Sequence, residues 1–234
     1  MIADSLPMCV RHHDITLHDP APEAVEADDI VLLGAPVYAG RVPQLATERF
    51  SSIKGNGQKA IIAVVYGNRD YDDALLELCD IAGKQGFEIV GAGAFIGQHC
   101  IFPDVASGRP DESDRESIRR FAGLVMQSTD NGSTLDTDSV KGNRPYKIAS
   151  AIPLHPQTMK ERCNECGKCM SQCPVDAIRK NDTITTDDAK CIMCCRCINV
   201  CPQNARYIAN PLYPEIRRKF ISNYTRRLEP EWFI

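Results

Sequence analysis

The chain lacks most of the features that assign a sequence to a familiar functional class. No apolar run is long enough to span a bilayer, and Lys and Arg interrupt the C-terminal part often. Met1-Ile2-Ala3-Asp4-Ser5 has neither the basic start nor the long apolar stretch of a signal peptide, so a cytoplasmic protein is expected. There is no G-x-S-x-G, no G-x-x-x-x-G-K-[ST], no H-E-x-x-H, and no G-x-G-x-x-G opening a helix. Without a nucleotide site the chain cannot take hydride from a nicotinamide cofactor unaided. His12, His13, His18, His99 and His155 show no ligand spacing, and aromatic residues make up only 6% of the chain.

Cysteine is plentiful by contrast, with twelve in 234 residues, nine of them between Cys163 and Pro202 and eight of those nine in a repeated pattern. The eight form two runs. The first holds Cys163, Cys166, Cys169 and Cys173-Pro174, the second Cys191, Cys194, Cys197 and Cys201-Pro202. Both spell C-x2-C-x2-C-x3-C-P, a pattern that holds iron–sulfur clusters. Iron in a 4Fe–4S cube takes soft thiolates, one per iron, and three cysteines at this spacing wrap one face of a cube within one tight loop. Zinc also takes four thiolates, but a zinc site is built from two pairs rather than a triplet and a lone Cys-Pro. Structural disulfides do not suit a reducing compartment. Pro174 and Pro202 withhold a backbone N–H and set the direction of the turn. Cys195 stands where the first run has Gly167, as a spectator, a competitor of Cys194 or a modulator of the second site. Cys9, Cys79 and Cys100 are isolated, and core packing is expected for them, with Cys79 on the same side as Leu75 and Leu78.

The net charge of −4 conceals an asymmetry. Residues 1–144 carry 13 basic and 22 acidic side chains, and residues 145–234 carry 14 and 9. A basic half can mark nucleic-acid or membrane contact. An oxidised four-thiolate cube carries a charge of about −2, however, so two of them cancel most of the excess. No nucleic-acid partner is expected.

Ahead of the cysteines, strand and helix patterns alternate. His13–Leu17 reads as a short strand, and Asp29–Gly34 and Lys59–Tyr66 as strands buried on both faces. A helix is expected from Val42-Pro43 to Ile53. A second, capped by Asp70, carries Ala74, Leu75, Leu78, Ile81 and Ala82. Phe87–Ile96 is the next strand, and a last helix opens near Ser113 with Glu116 completing a capping box. Alternation of this kind implies a parallel sheet between helices, with ligands beyond the carboxyl ends of its strands. Residues 128–157 are polar and proline-punctuated, as in a linker. Thr183–Thr185 suits a hairpin strand between the two cysteine runs, and Val175–Ile178 and Gln203–Arg206 suit a short turn after each run. Pro214–Leu228 reads as a basic helix docked on the cysteine domain, where Trp232 and Phe233 could pack too.

The loops Gly34–Pro43 and Tyr66–Tyr71 resemble the two flavin-flanking loops of flavodoxins. That resemblance covers roughly residues 1–127 and implies a flavin mononucleotide (FMN) site at Pro36, Tyr38, Gly40, Gly67, Asn68 and Tyr71. It fails at the N-terminus: Met1–Leu6 looks like the end of a first helix, with the first strand and phosphate loop of a flavodoxin absent. Either the natural chain starts further upstream, or the flavin site has decayed and this half is a scaffold. As written, the chain is expected to bind FMN weakly or not at all. The cysteine stretch resembles bacterial two-cluster ferredoxins, in which the cysteine before proline ligates the other cluster. Carried over, this implies Cys163, Cys166, Cys169 and Cys201 for cluster 1, and Cys191, Cys194, Cys197 and Cys173 for cluster 2. With Gly142–Tyr146 resembling a known connector, the chain is similar to fusions of a flavodoxin-like domain to such a ferredoxin. The expected architecture is an α/β flavodoxin-like parallel sheet over residues 1–127 and a linker over 128–157. A small α+β ferredoxin domain follows over 158–211, and a helical tail over 212–234. The implied function is electron transfer through two 4Fe–4S clusters, coupled to a flavin in the N-terminal half or on a redox protein partner. A reductase subunit and a non-redox scaffold are the alternatives.

Overall fold

The computed structural model describes residues 1–17, 25–150 and 153–234; His18 and two linker residues lie outside the described residues. Three apolar runs form parallel strands: β1 (Ile30–Pro36), β2 (Lys59–Tyr66) and β3 (Glu88–Ile96). They lie in the order β1-β2-β3, with Leu33 beside Ile62 and Ala63 beside Gly93. β2 is apolar on both faces because both are covered. Ala60, Ile62 and Val64 meet one core with α1 (Gln44–Phe50) and α2 (Ala74–Lys84), while Ile61 and Ala63 meet another with α3 (Glu112–Asp130). Cys79 is fully buried in the first of these cores, as its helical phase predicts.

Several expectations shift. His13–Leu17 is a turn rather than a strand, with Asp14 accepting from the Thr16 N–H at 2.8 Å. Among the described residues β1 is therefore the edge of the sheet. Helix α1 stops at Phe50, where the Ser51 and Ser52 hydroxyls donate to the Thr47 and Arg49 carbonyls. Asp70 does not cap α2. The N-cap residue is Asp73, whose carboxylate turns away from the helix to accept from the Asn143 and Lys147 N–H groups at 2.9 and 2.6 Å. The capping box of α3 lies two residues earlier than predicted, between Asp111 and Asp114, so that Arg109 can pair with Asp114 in the interior.

The segment after α3 is no loose linker. The Leu135 N–H donates to the Ile89 carbonyl at 2.7 Å, and Arg144 forks onto Asp80 at 2.8 and 2.6 Å. Arg41 joins this strap from below, pairing with Glu77 and donating to the Lys147 carbonyl at 2.6 Å.

The cysteine region that follows is small. It contains β4 (Pro156–Thr158), α4 (Lys168–Ser171), β5 (Ile178–Lys180), β6 (Ile184–Thr186), α5 (Arg196–Asn199) and β7 (Arg206–Ile208). β4 pairs with β7 and β5 with β6, both antiparallel, and the predicted hairpin strand is β6.

The tail docks on more than the cysteine domain: helix α6 (Tyr213–Asn223) shares one apolar cluster with Met193 and Ile208 of that domain and with Phe102 of the sheet domain. It ends five residues before Leu228, and the chain then runs back to the large sheet. There β8 (Glu231–Phe233) adds antiparallel to β3, with Trp232 opposite Gly93. Trp232 packs near Phe121 of α3 at 6.3 Å between ring centroids. Phe220 and Tyr213 of α6 stack on Phe102 in the loop after β3, and Arg217 forks onto Asp104.

Candidate functional site

The cysteine region is an internal repeat with an offset of 28 residues, visible down to single dihedral angles. Glu165 and Met193 both have φ of 56°, Gly167 and Cys195 have 73° and 56°, and Asp176 and Asn204 have 50° and 48°. These left-handed positions bend each loop so that successive cysteines turn inward. Helices α4 and α5 occupy equivalent places, as do β4 and β6, and β5 and β7. After each fourth cysteine the chain folds back on the sulfur. The Ala177 N–H donates to Cys173 Sγ and the Ala205 N–H to Cys201 Sγ, both at 3.2 Å.

The halves enclose two small cavities of about 320 and 330 Å³, counting their open mouths. The first is lined by Cys163, Cys166, Cys169 and Cys201, and the second by Cys173, Cys191, Cys194, Cys195 and Cys197. Each thus has the three cysteines of one C-x2-C-x2-C run and the Cys-Pro cysteine of the other half on its wall, with Cys195 in addition in the second. Burial pushes the thiols of Cys169, Cys191 and Cys197 up, and that of Cys194 up to about 11. Burial acts on Cys201 in the same sense, but the N–H groups of Ala205, Gln203 and Arg206 outweigh it, and its thiol is lowered.

Among the described residues no three His, Cys, Asp or Glu side chains converge on one metal ion. A lone zinc would draw four sulfurs to about 2.3 Å from a single centre. A cube has an iron at each of four corners and accepts thiols spread around it, which is the arrangement these cavities fit. Arg206 fits it as well. Its side chain lines both cavities, it is 3% exposed, and its buried Nε has no hydrogen-bond partner. Sequence reasoning had passed over Arg206; the one signal that could have found it is the repeat, which aligns it with the apolar Ile178.

The two loops face different surroundings. In the first, Asn164, Glu165 and Cys166 are exposed. Their counterparts Ile192, Met193 and Cys194 are half-buried, and Met193 packs into the aromatic cluster of Phe102 and Phe220. Cys195, 2% exposed, donates weakly to the Met193 carbonyl at 3.6 Å and lies beside Cys100, so it helps seat the second loop on the sheet domain.

The six candidate flavin residues do not converge. Pro36 and Tyr38 line an open cleft of about 910 Å³, with Arg49 on the same wall and Ile192, Cys194 and Arg196 opposite. Tyr38 is presented there by the tight turn Ala39-Gly40, in which Tyr38 and Arg41 exchange backbone hydrogen bonds at 2.9 and 3.1 Å. Burial raises its phenol. Gly40 itself packs against Asp72, and Gly67 packs against the His99 ring. Asn68 is buried and clamps the tail, donating to the Tyr224 and Arg226 carbonyls at 3.1 and 2.8 Å and accepting from the Leu228 N–H. Tyr71, 1% exposed, donates to Glu231 of β8. Four of the six are thus committed to internal packing, and among the described residues the set does not fit FMN held as a flavodoxin holds it.

Residues 156–179 and 184–207 each match the family model of the 4Fe-4S binding domain, and the two matches repeat the 28-residue offset seen in the backbone. The C-terminal region is therefore a two-cluster ferredoxin-type domain, of the class that carries out iron–sulfur electron transfer. The matches cover well under half of the chain, and no curated protein matches it. No helix among the described residues is long and apolar enough to cross a membrane.

Proposed function

We propose that the chain is an electron-transfer protein in which Cys163, Cys166, Cys169 and Cys201 hold one 4Fe–4S cluster and Cys173, Cys191, Cys194 and Cys197 hold the other. The observation that carries this reading is the pair of repeat-related cavities, each lined by the three C-x2-C-x2-C cysteines of one run and the Cys-Pro cysteine of the other. When bound, such clusters supply reversible one-electron chemistry. The chain's own part is to furnish thiolates, to donate backbone N–H groups to Cys173 and Cys201, and to keep water away from the more buried sulfurs.

The two loops have separate roles in this reading. The exposed first loop, flanked by Lys168, is the face a redox protein partner meets. The second loop is turned toward Tyr38 and the open cleft. Because Asn68 and Tyr71 are occupied by the tail, the flavin in this scheme belongs to the partner.

Iron and acid-labile sulfide analysis of anaerobically purified protein tests the assignment, with about eight irons per chain expected. Cys201→Ser should remove the cluster of the first loop and Cys173→Ser that of the second, each leaving about four irons. Zinc in place of iron, or each variant losing the cluster of its own loop, would overturn the reading. The same preparation should keep no stoichiometric flavin through gel filtration, and retention would return the flavin to this chain.

A further inference from the structure

Arg206 breaks the repeat at its centre. Its counterpart 28 residues earlier is Ile178, a buried apolar side chain at the start of β5. Arg206 occupies the same place at the start of β7, and its side chain forms part of the wall of both thiol-lined cavities. The guanidinium is held by a platform that is itself built from repeat partners. Nη1 donates to Thr158 Oγ1 at 2.6 Å, and Nη2 donates to Thr186 Oγ1 and to the Pro156 carbonyl at 2.9 Å. The Thr158 hydroxyl donates to the Ile184 carbonyl and the Thr186 hydroxyl to the Pro156 carbonyl, so both oxygens turn lone pairs to the cation. Nη2 also approaches Cys197 Sγ at 3.8 Å, while Nε is buried without an acceptor.

Arg206 takes part in no ion pair with a carboxylate among the described residues, although it is 3% exposed. A buried guanidinium without a counter-charge is costly, and proteins rarely keep one without a partner. Thiolates and the sulfur-rich group they hold would give it that partner, on both sides.

We propose that Arg206 is a positioning charge shared by the two metal sites, which stabilises the reduced form of each and so raises both reduction potentials. Reduction adds one negative charge to a site, and a fixed cation in a low-dielectric wall favours the more negative state. The site containing Cys197 feels it more, since that sulfur is the one the guanidinium touches. The inference rests on the eight-cysteine assignment above.

The test compares wild type, Arg206→Gln and Arg206→Lys as full-length, anaerobically reconstituted proteins, by iron content and by redox titration followed with electron paramagnetic resonance. Arg206→Gln should make reduction at least tenfold less favourable, about 59 mV lower for a one-electron couple. The larger shift should fall on the cluster that Cys173→Ser removes. Arg206→Lys should restore most of the potential. Unchanged potentials in an iron-replete Arg206→Gln overturn the inference. Should the glutamine variant fail to hold iron, an iron-replete Arg206→Lys with a potential far from wild type does the same, since the charge is retained there. Wild type without iron would instead overturn the cluster assignment itself.

Discussion

Asp73 and Asp80 show how single carboxylates convert a polar connector into a fixed strap. Asp73 is 1% exposed and accepts from the Asn143 N–H, the Asn143 side-chain amide and the Lys147 N–H. Asp73→Ala would strand those donors in the interior, at a cost of about 2–4 kcal/mol in urea unfolding. Burial acts upward on the Asp73 carboxyl, but the N–H groups of Lys147 and Asn143 outweigh it and hold it below the usual value. The Arg144 guanidinium does the same for Asp80, against burial. A carboxyl lowered on folding stabilises the native state above its unfolded value, about 3.9. That contribution fades as pH falls through the lower folded value. Acid titration followed by amide exchange should therefore release the strap below about pH 4, and an unchanged pH dependence in Asp73→Ala would count against its role. The cysteines were legible from the sequence at this scale because soft-metal ligation leaves a fixed spacing. Arg206 was not: a lone arginine after a Cys-Pro turn has no spacing partner, and only its register against Ile178 marks it out.

The parallel strands were legible because strands covered on both faces must be apolar throughout, and β2 was read to the residue. Helix starts were less so. Asp70, Asp73, Asp111 and Ser113 are all competent caps in isolation, and tertiary partners decide between them: Asn143 draws Asp73 away from its helix, and Arg109 fixes Asp114. β8 was invisible for a different reason. It is three residues long, and the alternation that marks a strand cannot be seen over so short a run. Its energetic weight lies in Trp232, which covers Phe121 and lies beneath Arg120. Trp232→Ala should cost about 2–3 kcal/mol and expose the edge of β3 to dye binding and association. A melting temperature within about one degree of wild type would refute that.

At the scale of the molecule, two bodies with different sources of stability are tied together by the tail. The sheet domain has two conventional cores. The ferredoxin-type domain has a core in which Cys169, Cys173 and Cys197 are packed with Ala177, Ile178 and Ile184, too small to hold its loops without metal. Removal of iron by a chelator under reducing conditions should therefore abolish amide protection in residues 158–208 while β2 and β3 stay protected. Loss of protection in both regions together would show that the sheet also depends on the metal sites. The sequence pointed to two bodies but missed the tail's contacts with the sheet domain, since an amphipathic helix shows which side is apolar without showing everything it will meet. On the sheet domain it meets Phe102 and His99 in the loop after β3.

The position of β8 also fixes an order of events during synthesis. β1, β2 and β3 leave the ribosome early, but the partner of β3 follows only after the whole cysteine region has emerged. Until then β3 presents an open edge and the Trp232 site on α3 is bare. The nascent sheet thus stays exposed for as long as the cysteine region takes to be made, and that is the interval in which a chaperone would have to shield it.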